Sequence, residues 1–275
     1  MGAISFSLDP RLARQLAGAL PAAVFLETGT FRGETAEALR GEFSHIYTVE
    51  LSEELARSAQ ERLGPYRNIT VFQGGAEDVV ARISELHRHE GVLFWLDAHW
   101  CSADSTAGEA SQCPLLDEIR AIEWLNDSSA ILIDDARLFL SAPPAPHEIS
   151  QWPRFQEVVD ALMSLSSNHE ISVINDVIAF TPRRLADTMR AYAQEHGIDL
   201  VRMVSDARNK SELEKAHAEA SAYAGQLATE VETLRSAAEE RLRVIEQQQA
   251  KIGQLEARVA ELQGKKAALR TLFGK

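Results

Sequence analysis

The stretch "AVFLETGTFRGETAEALRGEF", residues 23–43, decides the fold. Four apolar or β-branched positions run into Glu27, a glycine turn follows, and a helical pattern begins at Gly33. A short apolar run that ends in glycine and gives way to a helix is the first unit of a layered α/β domain. Gly29 lets the backbone turn sharply at the strand end. Gly33 removes a side chain where the next helix would begin close to a ligand.

The same unit recurs outward from this stretch. "IYTVE" (46–50) reads as a second strand ending in an acid, with Ser52 placed to cap the helix after it. "NITVFQGG" (68–75) precedes a helix through residues 76–89. "VLFWLDAH" (92–99) is almost continuously apolar, as a buried central parallel strand requires. "PLLDEIRAIEWL" (114–125) starts with proline at a favourable first helical position and sets Leu115, Ile119 and Ile122 on one face. "SAILIDDARLF" (129–139) is a fifth strand, and "EISVINDVIAFTP" (170–182) reads as two short strands about an Asn175-Asp176 turn. Helices are expected near 154–165 and 183–196. Repetition of strand then helix predicts parallel pairing with right-handed crossovers.

Ligands in such sheets bind beyond the carboxyl ends of the strands. The acids fall there: Glu27, Glu50, Glu77, Asp97, and the pair Asp134 and Asp135. "ETGTFRG" lacks the full Gly-x-Gly-x-x-Gly dinucleotide fingerprint, because Glu27 holds the first glycine position. A carboxylate there repels a pyrophosphate but accepts a hydrogen bond from an amino group. Glu50 lies about twenty residues beyond the loop, where an acid commonly holds a ribose diol.

This pattern resembles the class I S-adenosylmethionine-dependent methyltransferases, whose first loop reads Glu/Asp-x-Gly-x-x-x-Gly. The resemblance covers about residues 20–182. It implies a Rossmann-like, seven-stranded, parallel-centred α/β sheet whose last two strands form an antiparallel pair. It also implies a cofactor site of Glu27, Thr28, Gly29, Gly33 and Glu50, with Ala76 and Glu77 at the adenine. "LDAHW" followed by "ILIDDARLF" is similar to the metal-assisted O-methyltransferases acting on macrolide sugars and to glycan-associated relatives. That branch implies a magnesium ion on Asp97, Asp134 and Asp135, holding neighbouring hydroxyl oxygens of a small-molecule, sugar or glycan substrate. His99, two residues beyond Asp97, is placed to take the acceptor's proton. The run "CSADSTAGEASQC" (101–113) departs from the branch. It reads foremost as a mobile lid in which Asp104 and Glu109 touch substrate, with a zinc set of His99, Cys101 and Cys113 and a Cys101–Cys113 bridge as alternatives.

Charge divides the chain. The whole carries a formal charge of -13, and residues 210–275 hold 11 Lys/Arg against 10 Asp/Glu, leaving 17 against 31 before them. An acidic body argues against binding nucleic acid through its phosphates. No apolar run is long enough to span a membrane, and "MGAISFSLDPRLARQLAG" lacks a basic segment leading into an apolar core, so a cytoplasmic protein is expected. From about residue 209 the pattern becomes heptad: Leu213, Leu227, Leu234, Leu255 and Leu262 at d, and Val231, Ile245, Ile252 and Val259 at a. Arg241 and Gln248 interrupt the d series. β-branched a and leucine d positions favour a parallel two-stranded coiled coil. The expectation is a methyltransferase-like domain over 1–208 and an oligomerisation helix over 209–275 that forms a homodimer, with a trimer as the alternative. A competing reading makes the α/β domain a non-catalytic scaffold whose coiled coil organises a partner.

Overall fold

The computed structural model describes residues 8–100 and 111–274. Cys101, Asp104 and Glu109, on which the lid, zinc and bridge readings turn, lie outside the described residues. Two compact units divide at 198/199.

Seven strands make one sheet in the first unit: β1 (Ala22–Thr28), β2 (His45–Glu50), β3 (Ile69–Gln73), β4 (Gly91–Leu96), β5 (Ala130–Ile133), β6 (His169–Ile174) and β7 (Val177–Pro182). Their order across the sheet is β3-β2-β1-β4-β5-β7-β6. β1 pairs in parallel with β2 and β4, β2 with β3 and β4 with β5, while β7 runs antiparallel to both β5 and β6. The chain reverses between β6 and β7 at Asn175 and Asp176, both at positive φ, which side chains of this type tolerate best after glycine. The sheet order switches between β1 and β4, so the ends of these strands form the crevice in which open α/β sheets bind ligands.

The helices are α1 (Pro10–Ala19), α2 (Glu34–Ala38), α3 (Glu53–Leu63), α4 (Ala76–Leu86), α5 (Leu115–Ala121), α6 (Arg137–Leu140), α7 (Phe155–Leu165), α8 (Ala186–His196) and α9 (Leu200–Phe273). The central strands bury both faces, with all six residues of β4 and all four of β5 inside. Phe25, Leu93, Trp95 and Leu132 join one core cluster; Leu26, Phe94, Leu96 and Ile131 join the other. Alternation along each strand assigns the two faces, and burial of each such large side chain contributes roughly 1.5–3 kcal/mol.

Several elements are shorter than the sequence suggests. β4 ends at Leu96 and β5 at Ile133, so Asp97, His99, Asp134 and Asp135 stand on the loops just beyond the sheet. Asp135 itself takes a positive φ of 54°, which stops the strand and opens α6. Helix α1 escaped the sequence reading although its signals were present: Asp9 accepts from Arg11 N–H, and Pro10 occupies the first turn.

α9 is one helix of 74 residues, beginning at Leu200 rather than near 209. Gly197 ends α8 and the Asp199 carboxylate caps the Arg202 N–H, so local capping starts the helix before the heptads do. At 1.5 Å per residue it is about 110 Å long. Every described side chain on it is exposed, including Val231, Ile245 and Ile252. Among the described residues no helix is long and apolar enough to cross a membrane.

Candidate active site

Gly29 sits where β1 meets the end of β4. Its φ is +81°, and a Cβ at this position would lie 2.2 Å from the Asp97 carbonyl oxygen. The turn is held by the Val49 carbonyl, which accepts from Gly29 N–H and Thr30 N–H at 2.9 and 3.1 Å. Gly33 also has positive φ, but its missing side chain makes room for Leu63, whose Cδ1 would lie 2.7 Å from an added Cβ. The space that Gly33 leaves on this side is filled by α3.

Glu50, at the end of β2, is buried and accepts from Phe31 N–H (2.8 Å) and Ser52 N–H (3.0 Å). Its carboxylate is thus held by backbone of the loops that follow β1 and β2 while keeping lone pairs for further donors. Ala76 and Glu77 open α4 beyond β3, behind Gly75.

Glu27 is 2% exposed and accepts from the Thr48 hydroxyl at 2.7 Å; the Thr30 and Thr48 hydroxyls are themselves 2.7 Å apart. Burial pushes its carboxyl up to about 8 against the pull of the Thr48 and Thr35 hydroxyls. Folding therefore favours the protonated form. The stability this contributes is complete below about pH 4.5 and is lost as pH rises through about 8. Glu27→Gln should be more stable than the parent chain by about 1–3 kcal/mol at pH 8.5 and indistinguishable near pH 4.5. Urea melts of the ligand-free proteins at the two pH values check this, and equal differences at both would remove the assignment.

The second half of the site is a knot of charges. His99 has its side chain 2% exposed, packed edge-on against Phe139 and Trp152 with ring centroids 5.8 and 5.6 Å away. Its Nε2 lies 3.1 Å from Asp135 Oδ2 and 3.9 Å from Asp97 Oδ1. The Arg137 guanidinium donates to the other Asp135 oxygen at 2.5 Å and to Asp176 on the β6–β7 turn. Asp134 spends Oδ1 on the Asp135 N–H at 2.8 Å.

These contacts set the acids against one another. Burial raises Asp135, but the hydrogen bond and charge of His99, then those of Arg137, outweigh it and hold the carboxyl at about 2. Burial and the neighbouring Asp135 charge push Asp134 up to about 6. Asp97 is raised well above the usual carboxylate range by burial, then by Asp134 and Asp135. Its side chain is nevertheless 27% exposed, against 2% for His99, so Asp97 is the more accessible basic group.

Magnesium fits this arrangement poorly. Asp135 already meets the His99 ring nitrogen at one oxygen and the Arg137 guanidinium at the other, and one Asp134 oxygen accepts from backbone, so the three acids are not jointly turned toward one ion. Among the described residues no group of three or more acidic, histidine or cysteine side chains is disposed to hold a metal ion. Cys113 is buried and its thiol is pushed up to about 12 by burial, which disfavours the thiolate that zinc binds.

The sequence reading missed Arg137, Asp176 and Glu118. Glu118, on α5, is 1% exposed; its side chain takes a hydrogen bond from the Thr28 hydroxyl, and Oε1 has no partner. Burial raises it to about 7. Its signal was legible: it falls on the same helical face as Leu115, Ile119 and Ile122.

The order and sense of the seven strands, with the antiparallel final pair, define the class I methyltransferase fold. The chain matches no protein-family model and no curated protein. Among solved structures it is similar to the O-methyltransferase TomG of Streptomyces achromogenes, involved in tomaymycin synthesis and solved with SAM. That likeness has 15% identity, covers 62% of this chain and 78% of TomG, and gives a TM-score of 0.45. An O-methyltransferase of Bacillus cereus solved with SAH gives 16% identity, 64% and 83% coverage and a TM-score of 0.44. DesVI of Streptomyces venezuelae gives 15%, 63%, 89% and 0.42.

Proposed function

We propose that the chain is an S-adenosylmethionine-dependent O-methyltransferase acting on a hydroxyl of a sugar, glycan or other polyol. One observation carries the reading. The Gly29 turn and the Asp97–His99–Asp135 centre meet at the adjoining ends of β1 and β4, so closely that a Cβ on Gly29 would overlap the Asp97 carbonyl. A cofactor seated on the turn would present its reactive group to the acids.

The residues fit such a cofactor. Glu50 offers a backbone-anchored carboxylate to a ribose diol, Thr28 and Gly29 line the turn, and Ala76 and Glu77 stand where the base would lie. Bound S-adenosylmethionine supplies a methyl group made electrophilic by its sulfonium. Asp97, accessible and more basic than a free carboxylate, accepts the hydroxyl proton as the acceptor oxygen is brought into line. His99 is held between Asp97 and Asp135, and Arg137 anchors Asp135 to the β6–β7 turn. Several carboxylate oxygens on one rim match the neighbouring hydroxyls of a polyol.

Calorimetric titration of the full chain with S-adenosylhomocysteine and separately with NAD is the first test. Micromolar binding of the former alone is expected. Binding of NAD alone would replace the reading with an oxidoreductase, and binding of neither would favour the scaffold. Methyl transfer from labelled S-adenosylmethionine to a panel of polyols then tests the acceptor class.

The exposed a and d side chains of α9 support a parallel homodimer. Light scattering should give twice the chain mass. The double substitution Ile245→Asp with Ile252→Asp should give a monomer that still binds S-adenosylhomocysteine; an unchanged dimer would place the interface elsewhere.

A further inference from the structure

Gln112 stands near the end of the run 101–113, the stretch that departs from the metal-assisted branch, and takes no part in the mechanism above. Four hydrogen bonds nevertheless meet on it. Its carbonyl accepts from Trp100 N–H at 2.8 Å, and its own N–H donates to the Gln151 side-chain oxygen at 2.8 Å. Its side-chain Oε1 accepts from Glu148 N–H at 2.9 Å and from the Trp152 indole N–H at 3.1 Å. Both of those donors are N–H groups, so the amide must present its oxygen to them.

The groups that these bonds hold flank the reaction centre. Asp97 and His99 stand just beyond β4. The chain there is pinned at Asp97, whose N–H donates to the Thr28 hydroxyl at 3.0 Å, and again at Trp100, whose N–H meets Gln112. The Trp152 indole packs edge-on against the His99 ring, and His147 links Trp152 to Trp100 with ring centroids 5.1 and 5.3 Å away. Each such ring contact is weak and sets a preferred tilt rather than a position. Residues 141–152 belong to no strand, and their helical structure is one short 3-10 turn at Ile149–Gln151. The directional bonds to Gln112 therefore fix where the indole stands.

We infer that Gln112 is a positioning residue of the reaction centre: through its hydrogen bond to Trp152 it holds the aromatic wall that aims His99 Nε2 between Asp97 and Asp135. This rests on the proposed function. It adds that the segments before α5 and α7 complete the centre together, joined through one side chain. None of the four bonds involves Glu50 or the Gly29 turn, so cofactor affinity is left alone.

The test is single-turnover transfer by the full chain from labelled S-adenosylmethionine to a panel of methyl glycosides and inositols at saturating concentration. Gln112→Met, close in length but without the oxygen, should lower the rate at least about tenfold, since misplacing a reacting group by about 1 Å costs up to about 100-fold. Calorimetry with S-adenosylhomocysteine should show its affinity changed by less than about threefold. Gln112→Glu, whose carboxylate still accepts from both N–H groups, should restore the rate to within about threefold of the parent. Trp152→Phe, which keeps a ring but loses the donor, should add no further loss when combined with Gln112→Met, because the two act as one unit. Melting curves establish that the variants are folded. Should Gln112→Met not fold, Trp152→Phe alone carries the test with the same expected loss. A folded variant within about threefold of the parent, or a loss that Gln112→Glu leaves unrestored, overturns the inference and leaves the methyltransferase reading standing. Absence of transfer by the parent to every member of the panel overturns the proposed acceptor class and the inference with it.

Discussion

Gly29→Ala should weaken binding of S-adenosylhomocysteine by at least about 100-fold, the loss to which about 3 kcal/mol of strain at the turn corresponds. The reason is steric and local. The added Cβ would stand 2.2 Å from a backbone carbonyl at Asp97, on a residue whose φ of +81° already disfavours any side chain. Backbone cannot rotate aside as a side chain can, so β1 and β4 must separate at their adjoining ends. Calorimetry reads the affinity and a melting curve reads the strain. Parent-like affinity would mean that the turn does not carry the cofactor.

Asp97→Asn should lower the methyl-transfer rate by about 10²–10⁴-fold, the range that a positioned base contributes, while changing S-adenosylhomocysteine affinity by less than about threefold. The amide keeps the size of the carboxylate and removes its basicity. Single-turnover transfer to a polyol acceptor separates this chemical effect from binding. A rate within about threefold of the parent would move the base to another group, and His99→Gln measured in parallel would show whether the imidazole is that group.

Much of the sheet could be read along the chain because each strand carries a self-sufficient signal. "FWL" before Asp97 is a buried run, "ND" between two β-rich stretches is a reversal, and Ser52 before two glutamates is a cap. The acids at strand ends were legible for the same reason: a parallel sheet sends every such end to one rim. Partnerships among them were not. Arg137 is two residues from Asp135, yet its second partner, Asp176, arrives from a turn 39 positions later. Glu118 was passed over because an acid on an amphipathic helix is usually solvated, and only the packing of α5 beside α4 and α7, with Leu115 and Ile119 in the second core cluster, turns that side chain inward.

Gly33 and the metal triad mark the same boundary from the other side. Motif spacing singled out Gly33, but that its missing side chain makes room for Leu63 of α3 is visible only in the packing. The resemblance to the metal-assisted branch implied a cation on Asp97, Asp134 and Asp135, but the Asp135 oxygens face the His99 ring and the Arg137 guanidinium. Periodicity and turn chemistry are properties of neighbouring residues, so the sequence alone determined the succession of the seven strands, the glycine turn, the acidic rim and the heptads of α9. Which acid is ionised, which keeps its proton and which lacks a donor depends on burial and on charges brought from distant segments. Those were decided only when the chain closed on itself.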